Sequence, residues 1–381
     1  MADLFPKPRP ALQNAPSSGG AENLPSPPTL SLPKGGGALR GIDEKFSVNA
    51  ATGTCSFSIP LALSPGRSGF SPPLSLRYDS GAGNGPFGLG WGLSLSSITR
   101  KTDKGLPLYR DDGEADTFLI SGAEDLVVSL KRQGHQWVED TRRVTEGPDT
   151  FTVRAYRPRL EGLFARVERW TQVGTGEAHW RSVAKDNVSA FYGRRPQSRI
   201  ADPKDPRRIF QWLLEEMRDD KGNIIRFSYK QENGEGVDPG AVWEKNRRDP
   251  GGFAQQYLKR VEYANHVPFQ AGDWHFELVF DYGEHDDQNP TPQEGRAWAI
   301  RSDSFSSHRS GFELRTHRLC RRALMFHRFP ELGPSPCLVK STNFLYRESP
   351  LVTYLTTVES AGYRRRPGGY DRESLPPLSL A

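Results

Sequence analysis

The sequence predicts an all-β protein: many short antiparallel strands with Gly/Pro-rich turns, arranged as a sandwich or a curved-sheet shell segment. Three observations carry this. Apolar and polar residues alternate with period two in one stretch after another. Gly (38) and Pro (31) are abundant while only 35% of residues are hydrophobic, a balance of turns and short strands rather than long helices. Only three methionines occur in 381 residues, a length that suits one large or two to three ordinary domains.

The elements follow in order. Residues 1–32, rich in Pro, Ser, Gly and Ala, read as a disordered leader with no apolar signal-peptide core. Residues 33–381 read as one β-rich domain. Ser56-Phe57-Ser58-Ile59 alternates and stops at Pro60, and Ser64-Pro65-Gly66-Arg67-Ser68-Gly69 is a turn cluster. Leu74–Tyr78 alternates again. The runs 118–120, 125–130, 150–156 and 164–170 read as strands, and 179–184 with 188–192 form a hairpin around Lys185-Asp186-Asn187. Ile209–Met217 (IFQWLLEEM) is helical by propensity. The Asp219-Asp220-Lys221-Gly222-Asn223 turn that joins it to Ile224–Tyr229 makes both flanks strands. Residues 238–253 are loop-like, 258–263 and 275–282 are strands, and Phe312–Phe329 reads as a long basic-apolar alternation.

Charge and cysteine usage exclude several classes. The net charge is +5, but basic residues are dispersed and their runs (Arg194-Arg195, Arg207-Arg208, Arg321-Arg322, Arg364–Arg366) are short. They read as solvated faces or partner contacts, and no nucleic acid is expected. Cys55, Cys320 and Cys337 form no C-x-x-C, so neither a disulfide framework nor a cysteine-rich zinc site is expected. His317, Cys320 and His327 lie close in sequence but off any standard zinc spacing, and packed core residues are the expectation. No stretch of 18 apolar residues occurs, so membrane insertion is not expected.

Catalytic constellations are scarce. Gly83-Asn84-Gly85-Pro86-Phe87-Gly88 fits G-x-G-x-x-G, yet Gly90 and Gly92 follow where a phosphate-holding helix must begin. The stretch reads instead as a glycine-rich connection between strands, with Trp91 packed inward. Glu215-Glu216 and Asp111-Asp112 are adjacent and, on strands, face opposite sides, so neither forms a carboxylate pair. Other Asp and Glu residues are expected to be solvated. No catalytic, cofactor-binding or metal-binding residue is expected. Trp91, Trp137 and Trp170 could stack on a sugar, but core packing is the expectation for all three.

Several stretches, in this order, resemble one family: Ser31–Ala38 (SLPKGGGA), Thr52–Thr54, Ile59-Pro60, Ser64–Arg67 (SPGR), the GNGPFGLGWGL ribbon, Ile98–Lys101 (ITRK), Phe118–Val127 (FLISGAEDLV), Asp219–Asn223 (DDKGN), Arg315–Arg322 (RTHRLCRR) with Met325-Phe326-His327, and Ser374–Pro377 (SLPP). They are similar to the SpvB-type N-terminal domain of Tc insecticidal toxin B components, which also opens the Salmonella virulence plasmid 65 kDa B protein. The resemblance covers about 32–378. It implies a non-enzymatic domain of a shell that encloses a toxic effector, with a C-component (RHS shell) and an A-component injector as protein partners. It also implies export without a standard signal peptide, from the cytoplasm. Asp219–Tyr229 is also similar to an RHS/YD-repeat unit. In SpvB proteins the domain precedes an ADP-ribosyltransferase domain that needs an E-x-E pair, and no two glutamates here are separated by a single intervening residue. A delivery domain for such an enzyme, and a stand-alone β-sandwich binding module, are the alternatives.

Overall fold

The structure, a computed structural model, describes residues 45–48, 53–111, 115–121, 124–160, 164–245, 247 and 252–380. The leader expected over 1–32 lies outside them. Among the described residues the only helical elements are single 3-10 turns, and no helix is long and apolar enough to cross a membrane.

The first sheet pairs β1 (Lys45–Val48), β2 (Cys55–Pro60) and β3 (Ser75–Asp79); after a ribbon of β4 (Asn84–Gly85) and β5 (Gly88–Leu89), β6 (Trp91–Leu93) returns to β3. Then come β7 (Ser97–Arg100), β8 (Phe118–Ile120) and β9 (Glu124–Val128), followed by a separate hairpin of β10 (Leu130–Gln133) and β11 (Gln136–Glu139). The chain continues as β12 (Thr141–Glu146), β13 (Asp149–Pro158), β14 (Arg166–Gln172), β15 (Ala178–Val183), β16 (Ser189–Tyr192), β17 (Arg199–Asp202) and β18 (Asp205–Arg218). An arm follows: β19 (Ile224–Gln231), β20 (Gln256–Asn265), β21 (Trp274–Asp281), β24 (Arg322–His327), β25 (Cys337–Arg347), β26 (Tyr354–Arg366), β27 (Gly369–Ser374) and β28 (Leu378–Ser379), with β22 (Phe305–Ser307) and β23 (Leu314–Thr316) as a separate pair.

The 14-residue strand β18 forks the large sheet. One side takes β16 and β17 along its length; the other takes β7 at Gln211–Leu213 and β19 at Glu216–Arg218. Through β7, β8, β9, β13, β14, β15 and β16 the sheet returns to β18, closing a ring of eight antiparallel strands. Through β19 it runs on as the open arm. The predicted hairpins at 185–187 and 219–223 stand.

Alternation explains the ring. In β15 the residues Ala178, Trp180 and Ser182 are buried and the residues between are not. Trp180 meets Phe118 at 4.9 Å, Tyr156 at 4.8 Å and Trp212 at 6.0 Å, so aromatic rings from four strands fill the interior. The arm breaks the alternation. Leu278-Val279-Phe280 and Ala323-Leu324-Met325-Phe326 are buried throughout because both sheet faces are covered. One face joins the main core; Val279, Leu324, Phe326 and Leu338 form a second cluster beneath Tyr363 and Tyr370.

Local chemistry fixes the β18–β19 turn. The Asp219 carboxylate accepts from the backbone N–H of Lys221 (3.0 Å) and Asn223 (2.8 Å) and from the Asn223 amide (2.6 Å). Gly222 sits at φ 81°, and a Cβ there would lie 2.7 Å from the Phe269 backbone nitrogen, so both conformation and space require glycine.

Two expectations are corrected here. The Phe312–Phe329 run is not one alternating strand: Arg315 to Cys320 are all buried, and the chain leaves strand geometry between β23 and β24. Arg318 turns inward to Glu232, an ion pair that outweighs the period-two pattern. The acidic residues are not uniformly solvated either: Glu168, Glu215, Glu216, Glu232, Glu244, Glu277, Asp281, Glu284 and Asp303 are buried.

Candidate functional site

The glycine ribbon is a docking element. Gly88 (φ 89°) and Gly90 (φ 79°) take conformations that favour glycine, and a Cβ on Gly88 would lie 3.0 Å from the Thr353 carbonyl oxygen. The close approach lets the Leu89 N–H donate to that carbonyl at 2.9 Å. Beneath the ribbon, Arg301 donates to the Gly85 carbonyl (2.7 Å) and to Asn84 Oδ1 (2.9 Å) and is held by Asp303. Asp303 accepts in turn from Asn84 (2.8 Å) and Thr353 (2.7 Å). Burial works to raise its pKa, but the hydrogen bonds from Arg301, Thr353 and Asn84 prevail and hold it at about 2. Phe87 packs edge-on against Phe280 and Phe344. The motif spacing therefore serves backbone-to-backbone contact.

The other buried carboxylates are paired in the same manner. Arg100, fully buried, binds both Asp111 (2.6 Å) and Asp116 (2.8 Å), and Arg169 also reaches Asp111. Glu277 lies between Arg260 and Arg328, and Lys259 contacts Glu284 and His285. Glu215 binds Arg195, while Glu216 binds Arg218 and Arg226, so the adjacent glutamates are separate, as expected. Arg322 and Arg208, read as solvated faces or partner contacts, pair with Asp281 and Asp202. Paired ions brace strands; sequence reasoning missed those whose partners are far apart along the chain, such as Arg169 with Asp111 and Arg328 with Glu277.

His317 contacts Ser304 and His327 contacts Ser64, while Cys320 lies buried with its thiol pKa pushed up by desolvation. Among the described residues no three His, Cys, Asp or Glu side chains gather as metal ligands. Cys55 is exposed. Trp91 and Trp170 are buried as expected, but Trp137 is 68% exposed on the separate β10–β11 hairpin.

Two histidines make the fold acid-sensitive. Burial, with Arg194, Arg199 and Arg181 nearby, lowers the His179 pKa to about 3, and burial lowers that of His317 to about 4. Both sit below the unfolded value, so the unfolded chain binds more protons and stability falls as pH drops below about 6.5. Each contributes a slope of about 1.4 kcal/mol per pH unit between about 6.5 and its folded value. Thermal unfolding from pH 8 to 5 should show a falling Tm below about 6.5, and His179→Phe should make the fall shallower while leaving the His317 contribution. A flat wild-type profile would contradict this.

Comparison with known proteins agrees with this architecture. The family model described as Salmonella virulence plasmid 65kDa B protein matches residues 49–329. The chain is 38% identical over 370 residues to the mono(ADP-ribosyl)transferase SpvB of Salmonella choleraesuis (strain SC-B67), covering 90% of this chain and 59% of the relative. It thus spans less than two thirds of that protein's length. The solved N-terminal domain of effector protein SpvB from Salmonella typhimurium strain LT2 superposes with TM-score 0.74 at 36% identity, over 81% of this chain and 98% of that domain. The Photorhabdus luminescens Tc holotoxin pore superposes with TM-score 0.79 at 36% identity, over 93% of this chain and 17% of that chain. The crystal structure of TcdB2-TccC3 gives the same score and identity over the same shares. The family match spans the glycine ribbon, the Asp219–Asn223 turn and the RTHRLCRR segment, and the chain belongs to the Salmonella virulence plasmid 65kDa B protein (SpvB) family.

Proposed function

We propose that this chain is a non-enzymatic scaffold module of a Tc-like bacterial toxin, part of a sheet wall that encloses a toxic effector. The observation that carries this is the likeness to TcdB2-TccC3 along nearly the whole chain at a level of identity that exceeds fold similarity alone. The interior chemistry supports it: the buried acids are bound by cations that fix strands in place. The partners in this reading are a C-component RHS shell and an A-component injector. Strand β27 offers them an edge, since it pairs with β26 on one side and with no strand among the described residues on the other. In this reading the chain is exported with its complex.

A second reading has its own observation. Relatives named as mono(ADP-ribosyl)transferases match over 88–90% of this chain, which favours a delivery domain for such an enzyme. In both readings this chain performs no transfer itself. Incubated with biotinylated NAD and a eukaryotic cell lysate, the purified chain should label no protein above the background of lysate alone. Chain-dependent labelling would overturn the non-enzymatic assignment.

A further inference from the structure

Residues 283–296 follow β21 as a strap without strand structure. A buried trio pins it near its start: Lys259, Glu284 and His285, exposed by 7%, 0% and 0%. Lys259 Nζ has three protons and all are used, on the Phe280 carbonyl (3.0 Å), on Glu284 and on His285 Nε2 (2.7 Å). The other ring nitrogen, His285 Nδ1, lies 2.8 Å from the Thr291 carbonyl, which can only accept. Nδ1 therefore carries the proton, Nε2 is a bare acceptor, and His285 is neutral in this arrangement. Its ring ties the strap to β20 through Lys259 and closes the strap on itself through Thr291. The strap walls an open groove of about 510 Å3, opposite Asn343, Glu359, Tyr363 and Arg372. Its Asn289 stands against the start of β27: a Cβ on Gly369 would lie 2.6 Å from Asn289 Oδ1.

Acid is incompatible with this trio. A proton on Nε2 would point at an ammonium 2.7 Å away, setting two donors and two like charges together in a buried place. Lys259 cannot turn aside, because the Phe280 carbonyl and Glu284 hold it. The acids around it are already bound. Glu284 accepts from Lys259 and from the Tyr282 N–H (2.7 Å). Asp281, on β21, accepts from Arg322 and from the N–H groups of Gly283 and His285. On the strap itself, Glu294 binds Lys230, Asp287 binds Arg296, and Asp286 accepts from the Gln288 and Asn289 N–H groups. Arg296 and, from β24, Arg322 donate to the His285 carbonyl. Cys320 and Tyr282 near the trio are neutral, their pKa values raised by burial. Burial first, then Lys259, holds the His285 pKa below its ordinary value against the pull of Asp281 and Glu284. The lifted strap therefore binds more protons than the closed one, and acid favours lifting below about 6.5.

We propose that residues 283–296 are an acid-released strap: closed while His285 is neutral, it lifts when Nε2 takes a proton and frees the groove wall and the start of β27. The device does not depend on what the chain assembles with. Its test is hydrogen exchange of the full chain, read by mass spectrometry across roughly pH 7.5 to 5.5 and corrected for the pH dependence of intrinsic exchange. Below about 6.5, protection of peptides within 283–296 should fall by about tenfold per pH unit while the near-UV spectrum stays native. His285→Gln keeps an acceptor for Lys259 and a donor for Thr291 without a titrating proton, and it should abolish the fall. Should that variant not fold, the wild type still decides: nitrogen NMR of the imidazoles near neutral pH should show His285 protonated at Nδ1 alone. Protection that stays constant over this pH range, an equal fall in wild type and His285→Gln, or a proton on His285 Nε2 near neutral pH would overturn the proposal.

Discussion

Trp180→Ala should cost the protein about 3–5 kcal/mol, measured by chemical denaturation. Trp180 has no exposed surface and sits where the ring's strands converge, against Phe118, Tyr156 and Trp212. Truncation leaves a cavity that a closed ring cannot collapse around, because every ring strand is paired on both edges. Trp180→Phe should be far milder. The indole Nε1 is buried without a partner among the described residues, so the smaller ring also removes an unpaired donor. Trp212→Phe should cost more than Trp180→Phe, since Trp212 Nε1 donates to the Ala178 carbonyl at 2.8 Å. Equal effects in these two Phe variants would contradict the assigned roles.

Glu232→Ala should be of similar size, about 3–5 kcal/mol, and should act through charge. Glu232 and Arg318 are both without exposed side-chain surface, with Arg318 Nη2 at 2.6 Å from the carboxylate. Tyr257 donates its hydroxyl to the same carboxylate at 3.0 Å, and the Gly234 N–H does so at 2.9 Å. The Asn233 N–H donates to it as well, at 3.1 Å, so removing the carboxylate strands a buried guanidinium and three donors at once. Glu232→Gln, which keeps the shape and the acceptor oxygen, should recover part of the loss. Removing both ions in Glu232→Leu/Arg318→Met should cost less than the sum of the single changes, because no charge is left unpaired. Additive losses would contradict a coupled pair.

The fold was legible where one strand face meets the core and the other meets water. Residues 178–183 and 189–192 alternate for that reason, and the strands expected there and over 150–156 stand where the pattern puts them. The Asp219–Asn223 turn was legible because its chemistry is local. The arm was less so, since Leu278–Phe280 and Ala323–Phe326 are covered on both faces and lose the period. The ion pairs were not legible at all. Glu232 and Arg318 are 86 positions apart, and the hydrogen bond from Asn84 to Asp303 spans 219.

The most direct measurement places this chain inside an assembled toxin. The matching segment of TcdB2 is replaced by the full chain, co-expressed with TccC3, and the purified material is imaged by cryo-electron microscopy. The expected result is a closed TcdB2-TccC3 assembly in which the eight-stranded ring and the arm are built into the wall and β27 pairs with TcdB2 strands. A chimera whose grafted chain folds, with cooperative unfolding and a native near-UV spectrum, yet forms no complex with TccC3 would contradict the scaffold role.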